Sequence, residues 1–304
     1  MNFTQSTNYY SNGKLLITGE YAVLNGALSL ALPSSLGQKL IVQPSQNAFS
    51  WEAFDADGKC WFNSLSINSR EDEKVLHTLQ NILSTAATLN PHFASVYPHC
   101  AVQTLLTFPR HWGLGTSSTL INNIAQWAEV NPYELLFKSF GGSGYDIACA
   151  KTNTPLLYRL KDGKPETFPL RFLFPHTDSI YFVYLNNKQN SKEGITHYRS
   201  IQKSKQKLAD SITRITERLV LVYTIDDFCY LLEQHEQLIG DYLGISPVKE
   251  RLFPDFNGTI KSLGAWGGDF VLAISEYEDI PSYFNKKGYN TCIPYKELII
   301  TPKK

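Results

Sequence analysis

Two hydrophobic periods share this chain, and neither is confined to one half of it. From Lys14 to Val42 short apolar runs alternate with Gly, Pro and Ser, the punctuation of strands and tight turns. Glu71–Leu89 instead sets Val75, Leu79 and Leu83 at helical spacing behind acidic residues that favour a helix start. FSWEAFDADGKCWFNS reads as a hairpin turning at Ala56-Asp57-Gly58. Ala101–Phe108, TPLLYRL, SIYFVYL and FVLAIS read as strands, and NTCIPYKELII as a closing strand. INNIAQWAEV, PYELLFKSF (with Pro132 in a first turn), a long run over His197–Tyr223 and Thr224–Leu243 read as helices. Strands and helices mix without strict β-α-β order, so the expected class is α+β rather than a doubly wound sheet. At 304 residues the chain can bury a large core in two domains. The polar, Pro-containing stretch KDGKPETFP is the expected connector, giving domains over 1–165 and 166–304.

Composition removes several function classes. Lys+Arg and Asp+Glu are both 28, a balance that argues against a general nucleic-acid binder. Cys60, Cys100, Cys149, Cys229 and Cys292 lie far apart with no CxxC pair, the pattern of reduced thiols rather than a disulfide framework or zinc site. The start MNFTQSTNYYSNGK is polar and lacks the apolar core of a signal peptide. No apolar run approaches the roughly 20 residues that cross a bilayer. The expectation is a soluble cytoplasmic protein with neither nucleic-acid nor membrane partners.

Two stretches carry chemistry. In GKLLITGEYAVLNG, Lys14 and Glu20 bracket the apolar Leu15, Leu16 and Ile17. They are either strand-end charges or two groups facing one pocket. In PRHWGLGTSST a strand ends near Pro109, a glycine-rich loop follows, and a helix begins near Ser117. Gly113 and Gly115 allow backbone angles that turn successive N–H groups inward around an anion at the positive end of a helix. Thr116, Ser117 and Ser118 add hydroxyls that either cap the helix or bind a phosphate or Mg²⁺. Neither GxGxxG nor GxxxxGK[ST] is present.

Together these stretches resemble the GHMP kinase family, which includes galactokinase, homoserine kinase, mevalonate kinase and phosphomevalonate kinase. GKLLITGEYAVLNG resembles that family's first motif, and Pro109-Arg110-His111-Trp112-Gly113-Leu114-Gly115-Thr116-Ser117-Ser118-Thr119 resembles its second, PxxxGLGSSAA. Lys261-Ser262-Leu263-Gly264-Ala265-Trp266-Gly267-Gly268-Asp269 partly matches its late glycine turn, so three motifs fall in order along the whole chain. The resemblance implies two lobes, a ribosomal-protein-like amino-terminal lobe and a ferredoxin-like carboxy-terminal lobe. It implies ATP and Mg²⁺, with the phosphates under Gly113, Leu114, Gly115, Thr116, Ser117 and Ser118. It places Lys14 and Glu20 at one site and adds Tyr21, Gly264 and Ala265 to the substrate side.

In GGSGYDIA, Asp146 matches an S-G-[VFY]-D segment of mevalonate and phosphomevalonate kinases. The resemblance implies that it accepts or orients a hydroxyl proton, with Lys14 holding it ionised and stabilising the moving phosphoryl charge. Ser117 is the implied Mg²⁺ ligand, and Glu134 is either a second ligand or a solvated helix residue. Arg110 and His111 are surface residues or phosphate contacts, and Lys188, Lys192 and Arg199 are a solvated charge cluster or the receiver of an acidic substrate. Trp266 and Asp269 depart from the family, standing where small residues are usual. The GEY and GSGYD forms are closest to phosphomevalonate and mevalonate kinases, so the implied reaction is phosphoryl transfer to one of those small-molecule acceptors, by a monomer or homodimer. Another alcohol or sugar acceptor, a non-catalytic ATP-binding regulator and a diphosphomevalonate decarboxylase-like enzyme remain as alternatives.

Overall fold

A computed structural model describes residues 5–171, 174–187, 191–266 and 268–300. The chain forms two compact units that interleave in sequence. The first holds residues 1–13, 36–110 and 114–151, and the second holds 14–35, 111–113 and 152–304. Strand β1 (Thr7–Leu16) and strand β2 (Ser29–Pro44) each contribute to both, and they pair with one another.

In the first unit β3 (Ser50–Phe54) and β4 (Cys60–Asn63) form the hairpin expected around Asp57-Gly58. Helix α1 (Arg70–Leu89) follows, capped by the Ser69 hydroxyl accepting from the Asp72 N–H, with Glu71, Asp72 and Glu73 in its first turn. Helix α2 (Pro91–Val96) then leads into β5 (Cys100–Leu106), which runs parallel to β3 and antiparallel to the later part of β2. Helices α3 (Thr116–Trp127), α4 (Pro132–Ser139) and α5 (Tyr145–Ala150) complete the unit. Leu79, Ile82 and Leu83 of α1 share one core with Ile121 and Ile124 of α3, Leu135 of α4 and Trp51 of β3. Side-chain hydrogen bonds fix α3 on the sheet within that core. Ser11 donates to Asn123 Oδ1 (2.7 Å), Asn123 Nδ2 to the Gln38 carbonyl (2.9 Å) and Thr119 to Gln38 Oε1 (2.9 Å). Buried polar groups of this kind must be satisfied, so they specify one register of the helix.

In the second unit the first residues of β2 pair with β6 (Leu156–Lys161), which turns back into β7 (Lys164–Pro169). The stretch expected as an interdomain connector is therefore a hairpin inside one unit. Asp162 (φ 50°) and Gly163 (φ 74°) both take positive φ, as a two-residue type I′ turn requires. A second sheet has the order β11-β8-β10-β9, all neighbours antiparallel, from β8 (Ile180–Tyr184), β9 (Thr259–Ser262), β10 (Phe270–Ile274) and β11 (Cys292–Pro294). The helices of this unit are α6 (Ser191–Ser200), α7 (Lys205–Leu219), α8 (Ile225–Leu243), α9 (Val248–Leu252), α10 (Ile280–Lys286) and α11 (Tyr295–Leu298).

The run expected as one helix over His197–Tyr223 is two, because the Ser204 hydroxyl accepts from the Lys207 N–H and starts α7 afresh. The expected closing strand keeps only Cys292–Pro294 and then turns helical, burying the Tyr295 ring. None of the five cysteines, each among the described residues, forms a disulfide. Among the described residues no helix is long and apolar enough to cross a membrane.

Candidate functional site

The loop between β5 and α3 is held by its flanks. In the first unit the Arg110 N–H donates to Asp55 Oδ1 (3.0 Å), and its guanidinium lies 4.9 Å from the Trp61 ring centre. In the second unit Trp112 meets Phe270 edge-on at 5.4 Å, and the Tyr184 hydroxyl donates to the His111 carbonyl (3.4 Å). Leu114 is fully buried and Gly115, at φ 94°, is the N-cap of α3. A glycine cap brings no side-chain acceptor, so it leaves the first-turn N–H groups of the twelve-residue helix without a cap hydrogen bond from that position. Such a helix end suits an anion. The three hydroxyls of the loop do not share one role. Ser118 is buried and donates to the Gly115 carbonyl (2.8 Å), whereas Ser117 is exposed.

Thr116 and Ser117 also form the rim of a cavity of about 270 Å³ in the first unit. Its walls include Trp51, Trp61, Val75, Leu79 and Leu120, with Gln38, Thr78, Thr104 and the charged Glu71 and Lys74 as polar points. The Trp61 indole N–H is buried and has no acceptor among the described residues. A mainly apolar wall with a few polar groups is the usual make-up of a small-molecule pocket.

In the second unit the residues after Lys14 enter a buried polar cluster. Glu20 is 1% exposed, and its Oε1 accepts from Lys261 Nζ at 2.6 Å. Lys261 lies 3.4 Å from Glu236 Oε2, and Glu236 in turn accepts from the Ser262 N–H and hydroxyl. The Gly19 N–H donates to His235 Nε2 (2.9 Å), which fixes the imidazole as the neutral Nδ1–H tautomer. Burial, with the Lys261 charge adding to it, holds the imidazole well below its ordinary pKa. Burial also pushes the Glu20 carboxyl up to about 7, against the pull of Lys261. The expectation that Glu20 faces a substrate therefore gives way to a buried structural role. Lys261, His235 and Glu236 were missed from sequence. Only Lys261, at the head of the late glycine motif, carried a signal.

Tyr21, at φ 60°, stacks on Tyr198 at 5.5 Å and donates to the Ala265 carbonyl at 2.9 Å. Burial, with Glu20 adding to it, raises its hydroxyl to about 12, so it remains a neutral donor. The first motif thus holds the backbone of the third. Trp266 points into the core formed by Tyr21, Tyr198, Ile239 and Leu243, so its bulk does not close the glycine turn. Asp269 is different. Its carboxylate lies over Gly113, where a β-carbon would come within 2.5 Å of Oδ2.

No protein-family model matches the sequence, and no curated protein matches it. Solved structures do match, at low identity. The mevalonate kinase of Methanococcus jannaschii aligns at TM-score 0.68 and 15% identity, covering 96% of this chain and 99% of that one. The Streptococcus pneumoniae phosphomevalonate kinase bound to phosphomevalonate and AMPPNP aligns at 0.67 and 16%, covering 92% and 95%. The Lactococcus lactis galactokinase bound to galactose aligns at 0.68 and 12%, covering 98% and 94%.

The chain has the GHMP kinase fold. Within that α+β fold Lys14 sits half-buried on β1 in the second unit, and Asp146 half-buried in the first turn of α5 in the first unit. Gly144 is the N-cap of α5, so capping is not the task of Asp146. Glu134 pairs with Lys138 one helical turn away at 2.7 Å, both about half exposed, which is the solvated-helix arrangement. Lys192 and Arg199 are exposed on α6, and Lys188 lies outside the described residues. Among the described residues no three acidic, His or Cys side chains gather as a metal site.

Proposed function

We propose that the protein is an ATP-dependent phosphotransferase that moves the γ-phosphoryl group to a small-molecule acceptor, mevalonate or phosphomevalonate. The observation that carries this reading is the apolar cavity rimmed by Thr116 and Ser117, at the glycine-capped start of α3. In this reading the cavity of about 270 Å³ takes the base, and the phosphate tail follows the loop. The fold supports the kinase class, and the GEY and GSGYD forms support the acceptor. Mg²⁺ bound to the phosphates would offset their charge, as in other phosphoryl transfers. Ser117 would help hold it, Lys14 would face the transferred group, and Asp146 would orient the attacking oxygen.

The test is ADP release from Mg-ATP measured separately with mevalonate, phosphomevalonate, galactose and homoserine, beside an Asp146→Ala variant. Turnover with mevalonate or phosphomevalonate that falls by about 100-fold or more in the variant is the expected result. Turnover unaffected by Asp146→Ala would remove that residue from the chemistry. Release of CO₂ from a diphosphorylated acceptor would identify the decarboxylase alternative. The contact of Asp269 with Gly113 favours one second reading, a nucleotide-binding protein without turnover. It predicts ATP binding by calorimetry and no ADP with any acceptor.

A further inference from the structure

A second cavity of about 270 Å³ lies in the first unit, between β1, α3 and the end of α5. Ala125, Val130, Pro132 and Ala150 give it an apolar side, and Asn122, Gln126 and Lys151 a polar one. At 3.6 residues per turn, Asn122, Ala125 and Gln126 stand about half a turn around α3 from Thr116, Ser117 and Leu120, which line the cavity described above. The two cavities therefore lie on opposite faces of one helix. A buried relay fixes what the second one presents. The Gln38 carbonyl can only accept, so the Asn123 atom that meets it (2.9 Å) is Nδ2, and the other end of that amide is an acceptor. The Ser11 hydroxyl donates to that Asn123 Oδ1 (2.7 Å), which uses its proton, so the Asn122 atom 2.8 Å from Ser11 Oγ is the Nδ2 donor. Asn122 Nδ2 also reaches the Ala150 carbonyl (3.5 Å), and Oδ1 accepts from no donor among the described residues. Asn122 is 2% exposed and lines the cavity, so the fold sets an unmatched acceptor in its wall. Gln126 Nε2 leans toward the Ser11 hydroxyl and the Tyr10 carbonyl (3.5 Å each), which leaves its Oε1 as a further acceptor. Lys151 Nζ lies 5.2 Å from the centre of the Tyr133 ring, a contact that places the ammonium and leaves its N–H donors open to an anion.

We propose that this cavity binds a small organic acid that carries a hydroxyl or ammonium donor beside a short apolar chain. The carboxylate meets the Lys151 ammonium, the donor meets Asn122 Oδ1, and the chain lies on Ala125, Val130 and Ala150. The two polar contacts differ in weight. Lys151 is exposed and hydrated, so it gains little from an anion, whereas a buried acceptor without a donor is costly until a ligand supplies one. The donor group therefore decides which acids bind. The inference stands apart from the nucleotide reading, because the two cavities share no lining residue.

The experiment is ligand-observed NMR titration of the whole chain with probes of one carbon skeleton. They are 2-hydroxyisovalerate, valine, isovalerate, which lacks the donor, and 3-methylbutane-1,2-diol, which lacks the charge. At least one of the first two should bind about fivefold or more tightly than isovalerate, and about threefold or more tightly than the diol. Preference for 2-hydroxyisovalerate assigns the donor as a hydroxyl, and preference for valine assigns it as an ammonium. Lys151→Met, a change at an exposed side chain, should weaken the preferred acid about threefold or more and leave the diol unchanged. Val130→Phe, which fills the apolar side, should abolish binding of every probe, with thermal melts showing that the variant is folded. Should Val130→Phe not fold, Lys151→Met decides alone, and an unchanged affinity for the preferred acid would overturn the site. Binding by neither acid, an affinity for isovalerate equal to theirs, or binding that survives in folded Val130→Phe would overturn it as well.

Discussion

His235 and Glu20 should make stability depend on pH in opposite directions, and two single substitutions separate them. His235 is fully buried and accepts from the Gly19 N–H, so the fold requires it neutral, whereas in the unfolded chain it takes a proton near pH 6.5. Its folded pKa is depressed, so its contribution is present above pH 6.5 and is lost as pH falls. Relative to wild type, His235→Gln should therefore gain about 1.4 kcal/mol per pH unit below that point, or about 2 kcal/mol by pH ~5. Glu20 runs the other way. Its folded pKa is raised from 4.5 to about 7, so its contribution is full below pH 4.5 and is lost as pH rises to about 7. The window is worth about 3 kcal/mol, and Glu20→Gln should fall behind wild type by that amount between neutral and acidic pH.

The cause is visible in the cluster. Glu20 and Glu236 supply two carboxylates, and Lys261 supplies one ammonium, all nearly inaccessible to water. A neutral imidazole leaves an excess negative charge that a proton on Glu20 removes. Between pH 4.5 and 6.5 the two groups oppose each other, so the wild-type profile should be flatter than either variant's. Urea unfolding from about pH 5 to pH 8, with unchanged m-values as the control, reads these slopes directly. Parallel curves for wild type and His235→Gln would refute the neutral tautomer, and with it the charge count of the cluster.

Three further outcomes follow from the second unit. Lys261→Met leaves Glu20 and Glu236 buried without their cation and should cost about 3–5 kcal/mol in chemical denaturation, part of which Glu20→Gln on the same background restores. Trp266→Gly relieves a positive φ of 52° but empties the indole's place in the core, so a net loss of about 2–4 kcal/mol is expected in the same assay. Gly113→Ala drives a β-carbon into the Asp269 carboxyl, and a double-mutant cycle with Asp269→Gly should show that most of its thermal destabilisation disappears when the carboxyl is gone.

What could be read from the sequence follows from what the sequence can encode locally. Helix α1 was legible because the acidic residues at its start and the stripe of Val75, Leu79 and Leu83 agree on one helix. The hairpin at residues 161–164 carried its own signal, Asp162-Gly163, but the strand after it, KPETFP, is mostly exposed, so no buried face announced it as β. The break between α6 and α7 was hidden for the reverse reason. Apolar residues continue at helical spacing through it, and only the Ser204 cap marks the restart. The loop Gly113–Ser118 was legible as a type of structure, yet its three hydroxyls look alike in sequence, and only the fold buries Ser118 against the Gly115 carbonyl while exposing Ser117.

Glu20 marks the limit more sharply. A glutamate beside a glycine reads as a site residue, and nothing within 200 positions shows the lysine that neutralises it. The same fold that sinks Glu20 into a charge cluster brings Tyr21, the next residue, onto the Ala265 carbonyl of the late glycine turn. The motif Gly19-Glu20-Tyr21 therefore acts through what it fastens: Gly19 to His235, Glu20 to Lys261, Tyr21 to Ala265. The last two of these long-range contacts hold Lys261 and Ala265 of the late glycine motif, and the carboxyl of Asp269 from the same motif sits on Gly113. A motif that reads in sequence as part of a site can thus act by fastening distant elements, a helix through His235 and the late glycine motif through Lys261 and Ala265.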